Sequence, residues 1–297
     1  MYVNINGEIK KAGDARLSVF EHGFMYGLGL FETFRIYEGH PFLLDDHFRR
    51  LESGLEELNI MWSYDRGLVL KELRELMRAN GWTNAYVRYN VSAGPGELGL
   101  TVEKYTQPTV IIYMKPLPEP AGREAVKKAR LLQVKRNTPE TNVRLKSHHY
   151  LNSIMGKREI GADPDTEGLF LTSGGFLAEG VVSNLFWVKN KTLFTPSLDT
   201  GILPGITRAL IIRLAVLQGW TVREGLFSPD ALFDAEEAFV TNSIQEIVRL
   251  SSVDDKTWEG TMHDSAAAQL LKKYRQYRTK LFSMDEIEEK ERENHNE

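Results

Sequence analysis

Hydrophobic residues recur along this chain with two different periods. Leu30–Tyr37 alternates between two faces and stops at Glu38-Gly39, which predicts a strand. Leu44–Leu58 carries leucine or phenylalanine every three or four residues, which predicts a helix, and Tyr64–Asn80 predicts a second helix that ends at Gly81. Shorter runs with strand character lie at Tyr2–Ile5, Glu8–Ile9, Ala85–Ser92 and Thr109–Met114. The first half is therefore predicted to be a sheet with two helices.

The second half mixes the same two periods. Strands are predicted at Lys128–Val134, Gly168–Thr172, Val181–Lys189 and Glu237–Thr241. Helices are predicted at about His149–Ile160, Ile206–Gln218 and Ser265–Phe282. This mixture indicates an α/β (α+β) protein, and 297 residues are enough for two hydrophobic cores.

Proline marks the boundary between the two halves. Lys115–Gly122 holds three of the 11 prolines, and proline stiffens a chain and removes a backbone donor. We therefore expect a small domain at 1–115, a linker at 116–122 and a larger domain at 123–283. The residues from 284 to 297 are mostly charged, and we expect them to be disordered or to form a frayed helix.

Composition excludes several classes of function. The net charge is −4, with 37 basic and 41 acidic residues, so no nucleic-acid partner is expected. The chain has no cysteine and no histidine spacing typical of a metal site, so no metal is expected. No apolar run approaches the ~18–20 residues that span a bilayer, and the N-terminal residues alternate like a strand. A cytoplasmic protein without a membrane partner is expected.

The stretch from Glu179 to Arg208 carries the most informative candidate chemistry. Glu179 precedes an apolar run, and a buried carboxylate there is suited to a cationic ring nitrogen. Pro204-Gly205-Ile206-Thr207 opens a helix, whose free N–H groups and dipole favour an anion such as phosphate. The alternatives are an exposed glutamate at a strand end and simple helix capping by Thr207. A ligand with both groups is pyridoxal phosphate.

Three other positions can complete such a site. Lys146 lies just before a predicted helix, and a buried lysine with a depressed pKa can form a Schiff base. Arg50 lies on an amphipathic helix, where an inward guanidinium binds phosphate. Thr241-Asn242-Ser243 follows a predicted strand and can supply hydroxyl groups to the same phosphate. Solvated surface charge, and capping for the last segment, are the alternative interpretations.

Together these residues resemble the fold-type IV (class IV) pyridoxal-phosphate enzymes, from Asn6-Gly7 to about Leu281. The shared motifs are Glu179, Asn184-Leu185-Phe186, Leu193-Phe194-Thr195 and Gly205-Ile206-Thr207-Arg208, with Val181 where the family has a small residue. The resemblance implies a small N-terminal α/β sandwich and a larger C-terminal pseudo-barrel domain. It also implies a homodimer with sites near the subunit interface.

The resemblance assigns roles to individual residues. Lys146 would be the Schiff-base lysine, and Glu179 would pair with the pyridine nitrogen. Tyr150 would approach the cofactor's 3-oxygen. The phosphate would be held by Arg50, Ile206, Thr207 and Ser243 or Thr241.

Within the family, the chain is most similar to the 4-amino-4-deoxychorismate lyases of the Bacillus type, which form 4-aminobenzoate for folate synthesis. Thr33 stands where these lyases have threonine, and it is a candidate for proton transfer. The loop after Ser92 lacks the Arg-x-His carboxylate trap of the D-amino-acid aminotransferases. The candidates for substrate binding are Arg88, Arg35 and Tyr26. The alternative function is a branched-chain or D-amino-acid aminotransferase.

Overall fold

The computed structural model describes residues 1–117, 125–258 and 265–288, and it divides into two units. The first unit takes in residues 1–119, 146–149 and 278–297, as far as they are described, and the second takes in 120–145 and 150–277. The structure thus differs from the expected division at 123–283, because 146–149 and 278–283 group with the first unit. Most of the expected linker lies outside the described residues, and Pro116 ends a strand.

The first unit is built on one antiparallel sheet with the strand order β2-β1-β6-β5-β3-β4. Its strands are β1 Tyr2–Ile5, β2 Glu8–Lys11, β3 Gly29–Tyr37, β4 His40–Pro41, β5 Ala85–Ser92 and β6 Thr109–Pro116. Its helices are α1 His22–Met25, α2 Leu44–Glu57 and α3 Arg66–Asn80.

The two faces of β3 carry different sets of side chains. Side chains alternate along a strand, so Glu32 and Phe34 share one face while Phe31, Thr33 and Arg35 share the other. Helix α2 packs on the first face, where Phe48 lies 6.0 Å from Phe34 between ring centroids. This packing buries Phe34 and Phe48 completely. The polar groups of Glu32 are therefore held inside an apolar layer.

A short segment around Lys146 extends this sheet. Strand β4 pairs only with Ile36 and Tyr37, which leaves the beginning of β3 without a strand partner on that side. Lys146–His149 takes this place: the Phe31 N–H donates to the Lys146 carbonyl at 2.9 Å, and Leu30 pairs with Ser147 in an antiparallel bridge. These backbone bonds explain why 146–149 belongs to the first unit.

The charged C-terminal stretch is ordered over its first residues. Disorder from residue 284 was the wrong expectation for 284–288, where Met284–Glu286 forms a 3₁₀ turn. The Met284 N–H donates to the Asp46 carboxylate at 2.8 Å, and Ile287 is completely buried. The burial of Ile287 and the hydrogen bond from the Met284 N–H to the Asp46 carboxylate offset the entropy lost when this segment becomes ordered. Residues 289–297 lie outside the described part of the chain.

The second unit contains a nine-stranded sheet. Its strands are β7 Ala125–Leu131, β8 Thr166–Leu171, β9 Leu177–Gly180, β10 Asn184–Lys189, β11 Thr192–Pro196, β12 Thr221–Gly225, β13 Glu237–Asn242, β14 Glu246–Val253 and β15 Lys256–Thr257. Its helices are α4 Leu151–Ile160, α5 Ile206–Leu217, α6 Pro229–Phe233 and α7 Ala266–Tyr277.

Six strands of this sheet form a closed circuit. They follow the order β10-β13-β14-β7-β8-β9, and β9 then pairs back to β10 through the single register pair Glu179 and Asn184. One buried apolar cluster takes side chains from all six strands: Ala129, Leu169, Leu177, Leu185, Trp187, Ala238, Val240, Val248, Leu250 and Val253. The expected α/β class with a barrel-like C-terminal sheet is confirmed.

One strand boundary near the candidate site was predicted wrongly. The apolar run Val181–Lys189 was expected to be one strand that begins after Glu179. Glu179 instead lies near the end of β9, and 181–183 forms a bend before β10 begins at Asn184. The sequence pattern gives no sign of this bend, because Val181 and Val182 continue the hydrophobic run into it.

In the ranges that the structure describes, no helix has the length and apolar character needed to cross a membrane.

Candidate active site

Three side chains lie in one row across three neighbouring strands of the second unit. Asn184 of β10 is the register partner of Glu179 in β9 and of Thr241 in β13. Residues directly opposite each other in antiparallel strands project from the same face of a sheet. The strand register therefore brings the predicted ring-nitrogen carboxylate and a predicted phosphate hydroxyl to the same row.

Glu179 is buried, with 4% of its surface exposed, and its carboxylate has several partners. Arg136 Nε donates to Oε1 at 2.8 Å, and the Leu203 N–H donates to Oε2 at 3.0 Å. Asn184 Nδ2 donates to Oε2 at 3.4 Å. Two carboxylate oxygens offer about four acceptor sites, so Oε1 can accept one further donor. This arrangement fits the N–H of a pyridinium ring.

A second guanidinium lies beside the same carboxylate. Arg144 Nε is 3.8 Å from Glu179 Oε1 and donates to the Gly201 carbonyl. Burial, followed by repulsion from Arg136, lowers the pKa of Arg144 to about 10. Two cations thus compensate the buried charge of Glu179, which stabilises a carboxylate that would otherwise be costly to desolvate.

The beginning of α5 has the features of an anion site. Its first residue follows Gly205, which makes no side-chain capping bond. Among the described residues, no acceptor is recorded for the N–H groups of Ile206, Thr207 and Arg208. A Cβ at Gly205 would lie 2.0 Å from Asn184 Oδ1, so glycine is required for this close approach. Asn184 therefore contacts both the carboxylate and the helix start.

Hydroxyl groups accompany these N–H groups in the second unit. Thr207 Oγ1 lies 3.1 Å from Ser243 Oγ, and Thr207 is buried. The Thr241 hydroxyl is buried and has no hydrogen-bond partner in the described residues. A buried hydroxyl without a partner is unfavourable, and a phosphate oxygen would satisfy it. The predicted phosphate residues Ile206, Thr207, Thr241 and Ser243 fit a phosphate group on this evidence.

In the first unit, Lys146 lies on the edge of the sheet beside Phe31. Its Nζ atom is 5.0 Å from the centroid of the Phe31 ring. The backbone bond between Phe31 and Lys146 fixes this placement, since it ties the lysine to a buried strand. The lysine is partly buried, which matches a reactive amine better than a solvated surface charge.

Arg50 forms an ion pair with Glu32 in the first unit. Arg50 Nε and Nη2 donate to the two Glu32 oxygens at 2.8 and 2.7 Å, and His47 Nδ1 lies 2.6 Å from Oε2. Burial raises the pKa of Glu32, but Arg50 and His47 outweigh it and lower that pKa to about 2. Burial also lowers the pKa of His47. The Glu32 pair orients the Arg50 guanidinium.

Thr33 and Arg88 are register partners on the face of this sheet that lies opposite α2. The Arg88 guanidinium lies 3.6 Å from the Phe31 ring centroid, and its Nη2 donates to Asn90 Oδ1 at 3.4 Å. His148 Nε2 lies 2.9 Å from the same Asn90 oxygen. This face therefore presents a hydroxyl, a guanidinium and an imidazole around the ring that Lys146 contacts.

The remaining predicted residues are placed less distinctively. Arg35 is buried, and its guanidinium lies 4.8 Å from the Tyr37 ring centroid. The Tyr26 hydroxyl accepts a hydrogen bond from the Gly99 N–H at 2.9 Å. In the second unit, Tyr150 precedes α4 and is 36% exposed.

Several polar residues of the site were missed from the sequence. In the second unit these are the Glu179 partners Arg136 and Arg144, and in the first unit Glu32, His47 and Asn90. Arg136 is 43 positions from Glu179, and no periodicity links them. Glu32 had a usable signal, since it is a carboxylate on the face of a predicted strand that otherwise carries apolar residues.

Comparison with known proteins identifies the family. The model of the amino-transferase class IV family matches residues 29–253, and this protein belongs to that family. Members of this family use pyridoxal phosphate, and so does this protein.

Three relatives are close over most of their length. An aminodeoxychorismate lyase of Bacillus subtilis is 44% identical over 274 residues, which cover 91% of this chain and 93% of the relative. A branched-chain-amino-acid aminotransferase of Escherichia coli K12 is 32% identical over 262 residues, 85% of each chain. The solved branched-chain aminotransferase of Thermoproteus uzoniensis with norvaline has a TM-score of 0.82 at 27% identity, and the match covers 93% of this chain and 94% of that one.

His148 predicts a pH dependence of stability. Burial, followed by repulsion from Arg88, lowers its pKa from 6.5 to about 4. His148 therefore becomes protonated near pH 6.5 in the unfolded chain but only near pH 4 in the folded protein. The free energy of unfolding consequently falls as the pH drops through this window. We expect the free energy of unfolding to fall less between pH 7 and pH 4 in His148→Gln than in the wild type, by up to about 3 kcal/mol. Urea unfolding of both proteins between pH 7 and 4 measures it, and parallel profiles would contradict the assignment.

Proposed function

We propose that the protein is a pyridoxal-phosphate-dependent 4-amino-4-deoxychorismate lyase, which eliminates pyruvate to give 4-aminobenzoate for folate synthesis. The observation that carries the proposal is the 44% identity to the Bacillus subtilis lyase over nearly the whole of both chains. The presence of Thr33 on the same sheet face as Phe31, whose ring contacts Lys146, supports it.

The proposal gives each cofactor residue one task. Lys146 bonds the aldehyde carbon of pyridoxal phosphate, and Glu179 faces its ring nitrogen. Thr207, Ser243, Thr241, the N–H group of Ile206 and the guanidinium of Arg50 bind its phosphate, while Tyr150 approaches its 3-oxygen. When bound, the protonated pyridine ring withdraws electrons from the carbon that carries the substrate amine.

Lys146 has a second task as the base of the reaction. Once the substrate amine has displaced Lys146 from the cofactor, the freed lysine amine would remove the proton from the amine-bearing ring carbon of the substrate. The bond between the ring and the enol ether oxygen then breaks, and the ring becomes aromatic. One proton leaves the ring carbon, and one proton is taken up when the departing enolpyruvate becomes pyruvate. The overall reaction therefore balances without a second substrate. Thr33 is proposed to assist this transfer.

The substrate also carries carboxylates, for which Arg88 is the proposed partner. Its guanidinium lies on the sheet face that also carries Thr33, with Asn90 fixing one of its nitrogens. A guanidinium matches a carboxylate in a bidentate geometry. Arg35 and Tyr26 remain further candidates for contact with the substrate.

The loop after β5 supports a lyase over a D-amino-acid aminotransferase. Residues 93–101 contain neither arginine nor histidine. Leu98 and Leu100 in this loop are 75% and 91% exposed. An apolar loop does not offer the cationic carboxylate trap that a D-amino-acid aminotransferase has there, whereas an elimination with one substrate does not need that trap.

We also propose that the protein is a homodimer. The loop after β5 exposes Leu100, and the segment that contains α1 exposes Val19 and Phe24. The bond between Gly99 and Tyr26, the residue that follows α1, ties these two segments together. An exposed apolar patch of this kind is typical of an interaction surface. Sedimentation velocity of the purified protein checks this, and a monomer at all concentrations would contradict it.

Incubation with 4-amino-4-deoxychorismate tests the proposed reaction. We expect the wild-type protein with bound cofactor to form 4-aminobenzoate and pyruvate in equal amounts, measured by chromatography and by a coupled lactate dehydrogenase assay. Lys146→Ala should lose both products and the visible absorbance of the lysine-bound cofactor, because it removes the amine that bonds the cofactor and acts as base. Wild-type protein that binds cofactor but releases neither product would contradict the lyase.

Thr33→Gly tests the role of the hydroxyl. The variant should lose about a hundredfold in kcat, the lower end of the range for a proton-transfer group, while cofactor affinity stays within about twofold. Thr33→Ser, which keeps the hydroxyl, is the matched control and should retain most of the activity. Equal losses of activity and of cofactor affinity in Thr33→Gly would make Thr33 a structural residue.

An aminotransferase is the second candidate, because the Escherichia coli branched-chain enzyme is 32% identical over 85% of both chains. As an aminotransferase, the protein would use the same residues, but its first half-reaction would end with the amino group on the cofactor. Addition of single amino acids distinguishes the two. Complete conversion of the visible spectrum to that of pyridoxamine phosphate by branched-chain amino acids would favour the aminotransferase.

A further inference from the structure

A buried carboxylate outside the proposed site holds the bend between β9 and β10. Glu167 of β8 has 4% of its surface exposed. Its Oε1 accepts hydrogen bonds from the Val181 N–H at 3.1 Å and from Ser183 Oγ at 3.2 Å. The bend that these two bonds fix spans 181–183, and it separates Glu179 from Asn184.

Backbone hydrogen bonds also hold the bend. The Gly180 N–H donates to the Ser183 carbonyl at 2.7 Å, and the Val181 N–H also approaches the Gly168 carbonyl at 3.0 Å. A Cβ at Gly180 would lie 2.1 Å from Ser183 Oγ and 2.7 Å from Glu167 Oε1. Glu167 therefore contacts the bend beside Gly180, where there is no room for a Cβ atom.

The bend contributes to the position of the ring-nitrogen carboxylate. Glu179 and Asn184 form the only register pair between β9 and β10 in the described residues, while β9 also pairs with β8 and β10 with β13. The bend joins these two ladders. The Asn184 side chain in turn reaches the Leu203 carbonyl at 3.0 Å and abuts Gly205 at the start of α5. A shift of the bend would move both ends of the proposed cofactor site.

We propose that Glu167 is a positioning residue for the cofactor: through Val181 and Ser183 it aligns Glu179 with the ring nitrogen and Asn184 with the start of α5. This inference rests on the proposed cofactor roles of Glu179 and α5 and is independent of which reaction the enzyme catalyses. Glu167 touches neither the substrate nor the cofactor in this role.

Glu167 could also affect cofactor binding through its charge. Lys127 Nζ lies 3.6 Å from Glu167 Oε2, so the carboxylate also forms a buried ion pair. The hydrogen bonds to the bend use Oε1, whereas Lys127 faces Oε2. A glutamine keeps an acceptor oxygen for the bend and loses the charge, and an alanine loses both. The two variants therefore separate alignment of the bend from charge compensation.

The test uses the full-length protein with pyridoxal phosphate as the ligand. For Glu167→Ala we expect cofactor affinity about tenfold weaker than wild type, since a buried hydrogen-bond partner is lost, and a changed pH dependence of the visible absorbance. Glu167→Gln should restore both to within about threefold. The dissociation constant is measured by absorbance titration of the apoprotein, and stability by its thermal unfolding.

Glu237→Ala is the matched control. Glu237 accepts hydrogen bonds from the Ala266 and Ala267 N–H groups elsewhere in the second unit, so its removal also costs two hydrogen bonds, both partly buried. It should lower thermal stability but leave cofactor affinity within about twofold. Glu167→Ala with wild-type affinity, or Glu167→Gln as weak as Glu167→Ala, overturns the proposal. Wild-type protein that binds no cofactor would instead refute the proposed function.

Discussion

The pairing of Glu179 with Asn184 is the interaction on which the second unit and its chemistry depend. It closes a circuit of six strands, and it does so with two polar residues in a buried position. The carboxylate is compensated by Arg136 and Arg144, and the amide connects it to the loop that begins α5. The same contacts that close the sheet therefore hold a carboxylate and the start of α5, the candidate phosphate site, in a fixed arrangement.

The first unit places its polar groups by a different means. Helix α2 covers one face of its sheet, and alternation along β3 distributes the side chains between that face and the opposite one. Glu32 on the covered face binds Arg50 and His47, while Thr33 on the other face lies opposite Arg88. One nine-residue strand thus supplies both the residue that orients a guanidinium and the candidate helper in proton transfer.

Local pattern predicted much of the fold because it depends on neighbours in sequence. The period of Leu44–Leu58 and the alternation of Leu30–Tyr37 correspond to α2 and β3. Long-range pairing was not visible: the bend at 181–183 lies inside an apolar run, and Lys146 joins a strand more than a hundred residues earlier. Order at 284–288 depends on a backbone bond to Asp46, which the composition of a charged tail does not reveal.

The candidate site divides in the same way. Glu179, Lys146 and the start of α5 were predicted because each belongs to a motif that resembles the family, whereas Arg136, Arg144 and Glu32 matter only through partners that the fold brings near. The structure also explains a motif residue whose task the sequence left open. Asn184 is the register partner of both Glu179 and Thr241, so one amide links the proposed ring-nitrogen and phosphate contacts.

We propose that Glu179 holds the pyridine nitrogen of the cofactor in its protonated form. Nitrogen-15 NMR of the protein loaded with pyridoxal phosphate labelled at the ring nitrogen measures this state directly. We expect the chemical shift of a protonated pyridinium in the wild type at neutral pH and its loss in Glu179→Gln. A shift typical of an unprotonated pyridine in the wild type, or one unchanged by Glu179→Gln, would contradict it.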